Sequence, residues 1–362
     1  MAKIKKIQLI NYRNFKDINI DFSDKSNVFY GINGSGKTNI LEGISLLSKG
    51  KGLRNSNYSN LIKQHQKNFL VKSILEIDKI NYDIEISSRK INSNYKKILK
   101  VNDDTSKDSI NILHKSLSYL IFLPEMERLF QASPNYRRNF IDRLIFSSNS
   151  NYNKIINKYK KYLIERNIIL QQEKIDTNWI NFIELEISKF GIEIYNLRNF
   201  QLQLLNDYIK SLNMRGKYNF ELNFEIKDDF YEADLHQEKY LDSLKISREY
   251  DIKFGGVKFG PHKSDILAKI NNNFDASQLS TGQQKTVVLM MLLAQCFYLV
   301  NEMKIEPILL FDEVCSHLDS HNREILLEII NQFNIQLFLT STDKTLFSFI
   351  STNIEFYNIT EL

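Results

Sequence analysis

Apolar and polar residues alternate with a period of two through much of the first 100 residues, with one helical stretch between. Ile18–Phe22 alternates and Asn27–Tyr30 leads into a glycine-rich loop, so residues 4–30 predict two short strands around a turn. Residues 40–47 place apolar side chains on one helical face. Residues 69–77, 80–86 and 97–101 regain the period of two and predict an antiparallel meander.

The middle of the chain changes to a helical period. From Glu125 to about Leu212 there is no proline after Pro134, and Gly191 is the sole glycine. Strand-like residues return at 218–226, a helix is predicted near 235–250, and α/β character resumes at Gly255. These changes predict a discontinuous α/β domain formed by residues 1–124 and 251–362. Residues 125–250 are predicted to be an inserted helical lobe.

Composition indicates a soluble globular protein but excludes few functions. Hydrophobic residues make up 43% of the 362 residues and charged residues 25%, which is typical of a soluble globular protein. The 48 Lys and Arg exceed the 43 Asp and Glu by only +5, which permits nucleic acid as a partner without requiring it.

Cysteine usage and hydropathy favour a cytoplasmic location. Cys296 and Cys315 lie in apolar surroundings and predict buried free thiols in a reducing compartment. The N-terminus shows no signal-peptide pattern. The apolar run Val287–Val300 is interrupted by Gln295 and is too short to span a bilayer, so it predicts a buried helix and no membrane association.

A phosphate-binding loop is predicted between a strand and a helix, where GINGSGKT fits G-x-x-x-x-G-K-[ST]. Its backbone N–H groups and the following helix N-terminus attract phosphate. Lys37 is expected to reach the β- and γ-phosphates and Thr38 to ligate Mg²⁺. The predicted cofactors are therefore ATP and Mg²⁺. The candidate binding residues are Gly31, Ile32, Asn33, Gly34, Ser35, Gly36, Lys37, Thr38 and Asn39. A glycine turn with a nearby lysine is the structural alternative.

Two carboxylates follow a second apolar strand, Ile308–Phe311. Asp312 is placed to hold Mg²⁺ together with Thr38, and Glu313 to orient and deprotonate the attacking water. Apolar strands that end in aspartate are common, so the pattern gains its meaning beside a phosphate loop. Lys37, Asp312 and Glu313 are the candidate catalytic residues.

A third motif, LSTGQQK at Leu279–Lys285, precedes the apolar helix and resembles the ABC-type signature LSGGQ. In that superfamily the signature caps the γ-phosphate bound by the opposite subunit. The resemblance implies that Ser280, Gly282 and Gln283 contact the nucleotide of a second copy. A serine helix cap followed by glycine is the alternative.

Other elements of the ABC superfamily are only partly recognisable. Ser316–Asp319 stands at the position of the D-loop. The strand end Phe338–Thr342 lacks the usual switch histidine, so the hydroxyls of residues 340–342 are expected to sense the γ-phosphate. Glu125 and Gln131 are the two candidates for the glutamine loop.

The length between motifs separates the ABC classes. The segment between Gly36 and Gly282 is too long for a transporter's nucleotide-binding domain. Residues 125–250, folded back on themselves, give arms under about 90 Å at 1.5 Å per residue, and they carry no sustained heptad. A compact lobe is therefore predicted in place of a long coiled coil.

The motifs together resemble the RecF family of bacterial recombinational repair proteins. The similarity is carried by LINYRNF at 9–15, GINGSGKTNILE at 31–42, PE at 124–125, SPNYRRNFID at 133–142, GPHKSD at 260–265 and GQQKT at 282–286. Lys263, Ser264 and Lys285 depart from the Arg, Asp and Arg usual there.

The resemblance implies a fold and an activity. The fold is an α/β ABC-ATPase head with a mixed sheet and an antiparallel β subdomain, plus an inserted helical lobe. The activity is that of an ATP-driven homodimeric clamp, which binds DNA at gaps or single-strand/double-strand junctions. With RecR and RecO it would load RecA in DNA repair, replication restart and the SOS response, and weak, DNA-stimulated hydrolysis would release it. The alternatives are a transporter subunit, an SMC-like structural head and a small-molecule kinase.

DNA contacts can be proposed only from basic residues. The candidates are Arg54, Lys63, Lys67, Lys72, Arg137, Arg138, Lys154, Lys158, Lys160 and Lys161, with Tyr152, Tyr159 and Tyr162 interleaved. A solvated helix face is the alternative for each lysine. For His262, a structural hydrogen bond and a role near the nucleotide both stay open.

Overall fold

The computed structural model describes residues 2–91, 94–213, 221–232, 234–271, 274–316, 320–333, 335–350 and 354–361. The chain divides into two compact units. The terminal unit comprises Met1–Glu127 and Lys285–Leu362, and the central unit comprises Arg128–Gln284.

The terminal unit contains an antiparallel sheet with the strand order β2-β1-β4-β5-β6. These strands are β1 Ala2–Tyr12, β2 Phe15–Asp21, β4 Leu70–Ile77, β5 Ile80–Ile91 and β6 Asn94–Val101. Strands β4, β5 and β6 pair antiparallel in chain order, which confirms the predicted meander. The N-terminal region holds three strands and not the expected two, because the first residues also form a strand, β1, which pairs with both β2 and β4.

A second sheet in the terminal unit has the order β13-β3-β12-β11-β7, and its pairs are parallel. Its strands are β3 Ser26–Tyr30, β7 Tyr119–Phe122, β11 Ile308–Phe311, β12 Leu337–Ser341 and β13 Ile354–Asn358. Every residue of β11 and β12 is buried, as expected of a parallel sheet covered on both faces. The carboxyl ends of β3, β11 and β12 therefore meet at one edge, where the predicted chemistry lies.

The described helices of the terminal unit are α1 Lys37–Ser45, α2 Lys107–Ser116, α9 Ser320–Gln332 and, after its first turn, α8 Thr281–Asn301. Helices of this unit pack on both sheets: α1 contacts β12 of the parallel sheet and α2 contacts β6 of the antiparallel one. Helix α8 is long and apolar enough to cross a membrane by length and composition, but 83% of its most apolar window is buried inside the protein. A core helix accounts for this pattern. Cys296 and Cys315 are buried free thiols, as predicted.

The central unit is mainly helical. Its helices are α3 Pro134–Ser148, α4 Tyr152–Leu170, α5 Thr177–Asn213, α6 Gln237–Ile246 and α7 Arg248–Phe254. Its strands are β8 Leu222–Lys227, β9 Asp265–Ile270 and β10 Phe274–Asp275 in the order β10-β9-β8. The longest of these helices, α5, has 37 residues and spans about 55 Å. Among the described residues no helix is longer than α5, so the central unit has no helix of the length expected for a long coiled-coil arm.

The units divide at different residues from those expected from the sequence. The first division falls after Glu127 and not after residue 124, and the second after Gln284 and not after residue 250. Residues 251–284 group with the central unit because β9 pairs along its length with β8. Arg137 of α3 also forms a bidentate ion pair with Asp265 at the start of β9, with distances of 2.7 and 2.8 Å.

Candidate functional site: a nucleotide pocket and a signature helix

The glycine-rich loop joins β3 to α1 through backbone that only glycine adopts easily. Gly36 precedes α1 at φ 108°, and a Cβ there would lie 2.5 Å from the Phe15 ring and 2.6 Å from the Asn14 side chain. At Gly31 a Cβ would lie 2.6 Å from Thr360 Oγ1. A larger residue at either position would adopt a strained φ and would have to displace these side chains.

Two residues that sequence reasoning missed support this loop. Asn14 Nδ2 donates to the Ser35 carbonyl at 2.9 Å, and Asn14 Oδ1 accepts from Asn39 Nδ2 at 2.7 Å. At the start of the loop, Thr360 Oγ1 accepts the Ile32 backbone N–H at 3.2 Å. Asn14 lies in a segment that was notable only for its family resemblance, and no local signal marks Thr360.

A cavity of about 230 Å³ opens at the loop. It is lined by Asn33, Gly34, Gly36, Lys37, Thr38, Asn39, Arg54 and Glu313. The Ser35 hydroxyl is buried and has no partner among the described residues, so it is an unused donor within the phosphate loop. A loop of turned glycines, a lysine and an unsatisfied hydroxyl fits a polyphosphate.

Lys37 is buried, and its ammonium is held by the loop itself. Nζ donates to the Gly31 carbonyl at 2.8 Å and to the Ile32 carbonyl at 3.0 Å. Desolvation lowers the pKa of Lys37, and the charges of Glu313 and Asp312 act in the opposite direction. A bound phosphate that accepted from Nζ in place of the two carbonyls would compensate the positive charge of Lys37.

Thr38 and Asp312 meet at the expected metal position, although 274 residues separate them in the chain. Thr38 Oγ1 lies 2.9 Å from each carboxylate oxygen of Asp312. Burial raises the pKa of Asp312, and hydrogen bonds from Thr340 and Thr38 oppose the rise.

The donor set suits Mg²⁺ that is bound mainly through nucleotide and water. The described residues contain no group of three or more His, Cys, Asp or Glu that could hold a metal alone. One hydroxyl and one carboxylate are what an Mg²⁺ ion shared with phosphates requires of the protein.

Glu313 lines the cavity from the end of β11. Its backbone has φ 49°, and its N–H donates to Thr340 Oγ1 at 2.8 Å. A non-glycine residue in this region of φ stores local strain, which here turns the Glu313 side chain toward the phosphate loop.

The hydroxyls at the end of β12 are used differently from the expectation that all of them sense the γ-phosphate. Thr340 is fully buried and donates to Asp312 Oδ1 at 2.6 Å while accepting from Glu313. Ser341 Oγ donates to the Asp343 carbonyl at 3.1 Å. Thr342 is exposed. The hydroxyls of Thr340 and Ser341 are thus engaged within the protein, and their sensing of the γ-phosphate stays a prediction.

In the central unit, the predicted signature begins α8 with a reciprocal cap. The Ser280 N–H and Oγ donate to Gln283 Oε1 at 3.0 and 3.1 Å, and the Gln283 N–H donates to Ser280 Oγ at 3.3 Å. A Cβ built on Gly282 meets no atom within 4 Å. Ser280 and Gln283 are exposed, so the first turn of α8 presents a polar surface.

The two glutamine-loop candidates have different surroundings. Gln131 Nε2 donates to the Ser277 carbonyl at 3.2 Å, just before the signature. Glu125 is exposed in the terminal unit, and its charge contributes to the raised pKa of Asp312. Glu125 is thus the candidate with an electrostatic link to the metal position.

Lys285, which stands where the family usually has arginine, is buried and paired. Its Nζ donates to Glu127 Oε1 at 2.6 Å and to the Ser316 carbonyl at 2.9 Å. The same ammonium lies 5.6 Å from the centre of the Phe122 ring. Lys285 therefore holds the start of the predicted D-loop, whose remaining residues, His317–Asp319, lie outside the described residues.

Several candidate DNA contacts are engaged inside the central unit. Arg137 is paired with Asp265, and Arg138 donates to the Ser264 carbonyl. Tyr152 and Tyr159 are buried and so have no face on which a base could stack. Lys154, Lys158, Lys160 and Lys161 are exposed.

His262 has a structural role within the described residues. Its Nδ1 lies 2.8 Å from the Tyr159 hydroxyl and its Nε2 lies 3.1 Å from the Val257 carbonyl. Burial lowers the pKa of His262 to about 4, so the ring is neutral at pH 7.

Sequence comparison agrees with this geometry. The model of the RecF/RecN/SMC N terminal domain family matches residues 3–361. DNA replication and repair protein RecF of Rickettsia felis is 34% identical over 354 residues, covering 93% of this chain and 92% of that protein. RecF of Rickettsia akari is 33% identical over 342 residues, covering 93% of each.

Solved structures extend the agreement to the fold. The recombination mediator protein RecF-ATPrS of the RecFOR pathway matches with a TM-score of 0.84 at 28% identity, over 99% of this chain and 96% of that one. RecF-ATP of the same pathway gives 0.82 at 29% identity, over 95% and 93%. An Smc head bound to the C-winged helix domain of ScpA gives 0.55 at 17% identity, over 96% and 91%, and shares the fold alone. The chain therefore belongs to the RecF family, with the mixed α/β ABC-ATPase fold that this family shares with SMC heads.

Proposed function

We propose that this chain is an ATP-driven DNA clamp of recombinational repair and replication restart. The observation that carries the proposal is the convergence of Lys37, Thr38 and Glu313 on one cavity at the phosphate loop, with Asp312 hydrogen-bonded to Thr38 beside it. A complete phosphate loop and a water-activating carboxylate are the parts of an ATPase. The RecF relatives, whose names specify DNA replication and repair, direct that ATPase to DNA.

In the nucleotide site, the protein's own groups have separate tasks. The loop N–H groups and Lys37 bind and orient the β- and γ-phosphates. Thr38 and Asp312 hold Mg²⁺, which neutralises phosphate charge when it is bound. Glu313 orients the attacking water and accepts its proton. Buried Thr340 keeps both carboxylate residues in place.

We propose a second half for each site, supplied by another copy of the chain. Ser280, Gly282 and Gln283 are held by a helix cap, and the open space at Gly282 allows close approach of a phosphate. Two nucleotides bound in this way would join two subunits. Hydrolysis through Glu313 would then release them, with DNA stimulating a weak basal rate.

We propose a separate role for each of the two compact units. The terminal unit acts as the ATPase head, and the central unit acts as a lobe that presents the signature. The partners are gapped or junction DNA and, by analogy with the RecFOR pathway named for the related structures, RecR and RecO. RecA loading and a cytoplasmic location follow from this role. Membership of the RecF family counts against a transporter subunit. Among the described residues of the central unit the longest helix has 37 residues, which counts against a long-armed structural head.

The experiment is a gel shift on gapped duplex, with intact duplex of the same sequence as the control. Wild-type protein and the Lys37→Ala variant are each tested with ATP, with ADP and without nucleotide. Retention of gapped DNA is expected only for wild-type protein with ATP. Equal retention under all three conditions, or none with ATP, would overturn the clamp.

A further inference from the structure

The C-terminal end of α1, opposite the phosphate loop, is held by side chains from two different sheets. Tyr119 of β7 donates its hydroxyl to the Ile44 carbonyl at 3.2 Å. Lys97 of β6 donates Nζ to the Leu46 carbonyl at 2.5 Å and to the Ser48 carbonyl at 3.0 Å. These carbonyls belong to the last turn of α1 and the residues directly after it.

Lys97 sits at this position without a carboxylate partner. Among the described residues no Asp or Glu oxygen lies within salt-bridge distance of its ammonium. Desolvation lowers the pKa of Lys97 to about 8. The charge is therefore balanced by the carbonyls of the C-cap residue Leu46 and of Ser48, at the negative end of the helix dipole.

The other titratable groups near Lys97 do not compensate it. His114 of α2 has a pKa lowered to about 4 by burial and by the charges of Lys97 and Lys49, so its ring is neutral. Its buried Nε2 has no partner among the described residues. Burial raises the pKa of Tyr119 and of Tyr58, which stay protonated in the working range of pH.

Helix α1 is short enough for an anchor at one end to act at the other. Its nine residues span about 13 Å, and Lys37 and Thr38 form its first turn. The middle of the helix is held by a bidentate ion pair between Arg13 and buried Glu42, at 2.8 Å for both contacts. The first turn is linked to Asp312 through Thr38. At the remaining end, Lys97 and Tyr119 bind backbone carbonyls, and the Leu53 N–H donates to Ser45 Oγ at 2.7 Å.

We propose that Lys97 is a positioning residue of the nucleotide site, which holds the rear of α1 and so sets the phosphate loop, with Tyr119 as a second anchor. The inference rests on the proposed ATP binding and adds a residue that no phosphate-loop motif contains. An ammonium that donates to carbonyls at the C-terminal end of a helix stabilises that end through charge-assisted hydrogen bonds. When the Lys97 ammonium is removed, α1 gains freedom to tilt. Nucleotide binding must then also restrict the motion of the phosphate loop, which lowers the affinity.

The test measures binding of mant-ATP with Mg²⁺ at a temperature well below each variant's melting point. Lys97→Met removes the charge, Lys97→Arg keeps it, and Lys100→Met is the matched control. Lys100 lies on the same strand, where its ammonium is 3.3 Å from Glu85. We expect the Kd to rise about tenfold for Lys97→Met, which corresponds to about 1.4 kcal/mol. Lys97→Arg and Lys100→Met should stay within about threefold of wild type.

Two results would overturn the proposal. An unchanged Kd in Lys97→Met would overturn the proposal. An equal loss in Lys97→Arg would also overturn it, because side-chain shape and not charge would then matter. If Lys97→Met does not fold, Tyr119→Phe decides: a threefold or larger rise in Kd supports the anchor, and an unchanged Kd rejects it. Wild-type protein that binds no mant-ATP would instead reject the proposed function.

Discussion

Thr340 Oγ1 donates a 2.6 Å hydrogen bond to Asp312 Oδ1. The same oxygen accepts the Glu313 N–H at 2.8 Å, so one buried hydroxyl of β12 orients both acidic residues at the end of β11. The adjacent parallel strand thus sets the geometry of the candidate metal ligand and of the candidate base. A threonine stands where a phosphate sensor was expected, and its contacts are directed to the carboxylate residues.

Replacing Thr340 by Val removes two hydrogen bonds and should reduce ATP hydrolysis about thirtyfold. Each hydrogen bond removed is worth about 1 kcal/mol, and Asp312 would lose a buried donor. The measurement is kcat for phosphate release with saturating Mg²⁺ and ATP. Thr342→Val is the control, because Thr342 lies just beyond the same strand and is exposed. Equal losses in both variants would contradict the specific role of Thr340.

The Glu313→Gln change should preserve nucleotide binding and block hydrolysis. The amide keeps the size of the side chain but cannot accept the proton of the attacking water. With ATP and Mg²⁺ the variant should accumulate as a dimer in size-exclusion chromatography with light scattering. ADP serves as the control nucleotide and should leave it monomeric. A variant that stays monomeric with ATP would argue against a nucleotide-joined dimer.

The Ser280→Arg change should abolish ATP-dependent dimerisation while each monomer still binds nucleotide. An arginine at the first turn of α8 loses the hydroxyl that caps Gln283 and fills the surface assigned to a partner's phosphate. Dimerisation is scored in the Glu313→Gln background, and mant-ATP binding is scored separately. Ser277→Arg, three residues earlier, is the control. Dimers that persist in Ser280→Arg would exclude the signature role.

Arg54 should contribute to nucleotide affinity and not to DNA contact. It lines the cavity, and its Nη1 lies 3.5 Å from Asn39 Oδ1. Its charge also acts on the pKa of Asp312. We expect Arg54→Ala to weaken mant-ATP binding about fivefold, which is about 1 kcal/mol for an exposed charge near phosphate. Lys51→Ala, an exposed lysine of the same loop, should have little effect. A DNA defect with unchanged nucleotide affinity would reverse this assignment.

Affinity for Mg²⁺ should fall at acid pH because of Asp312. Desolvation raises the pKa of its carboxyl above 3.8, so protons compete with the metal at higher pH than for an ordinary aspartate. Between 3.8 and the raised pKa the folded protein binds the extra proton, and the metal-free fold loses stability as pH rises through that window. Mg²⁺-dependent mant-ATP binding is measured from pH 5 to 7. Asp343→Asn, in an exposed turn, should keep the wild-type profile, whereas Asp312→Asn should flatten it.

Local pattern was sufficient for the elements that carry the chemistry. The loop from Gly31 to Thr38, the buried strand β11 and the capped start of α8 were all predicted at their observed positions. Each depends on contacts within a few residues: turned glycines, a continuous apolar run, and a serine that caps its own helix. Such contacts are visible in a short window of sequence.

The supporting residues were not predictable in this way. Asn14, Thr360 and Lys97 act through side-chain contacts to backbone that is distant in the chain, and any short window shows them as ordinary polar residues. Arg137 was only a candidate DNA contact in the sequence, and the structure shows its guanidinium paired with Asp265 inside the central unit. Strand pairing between β8 and β9 likewise moved the unit boundary beyond the expected residue 250.

By itself, the sequence determined that a phosphate loop, an acidic strand end and a signature-like helix exist, because each is encoded by neighbouring residues. Only the tertiary structure decided which hydroxyl orients Asp312, which cation holds the rear of α1 and which arginines face inward. Those choices depend on long-range packing; in the parallel sheet, for example, the spatial order of the strands brings Thr38 and Asp312 to 2.9 Å across 274 residues of chain. Side-chain partners at that separation are set by packing, and no periodicity along the chain records them.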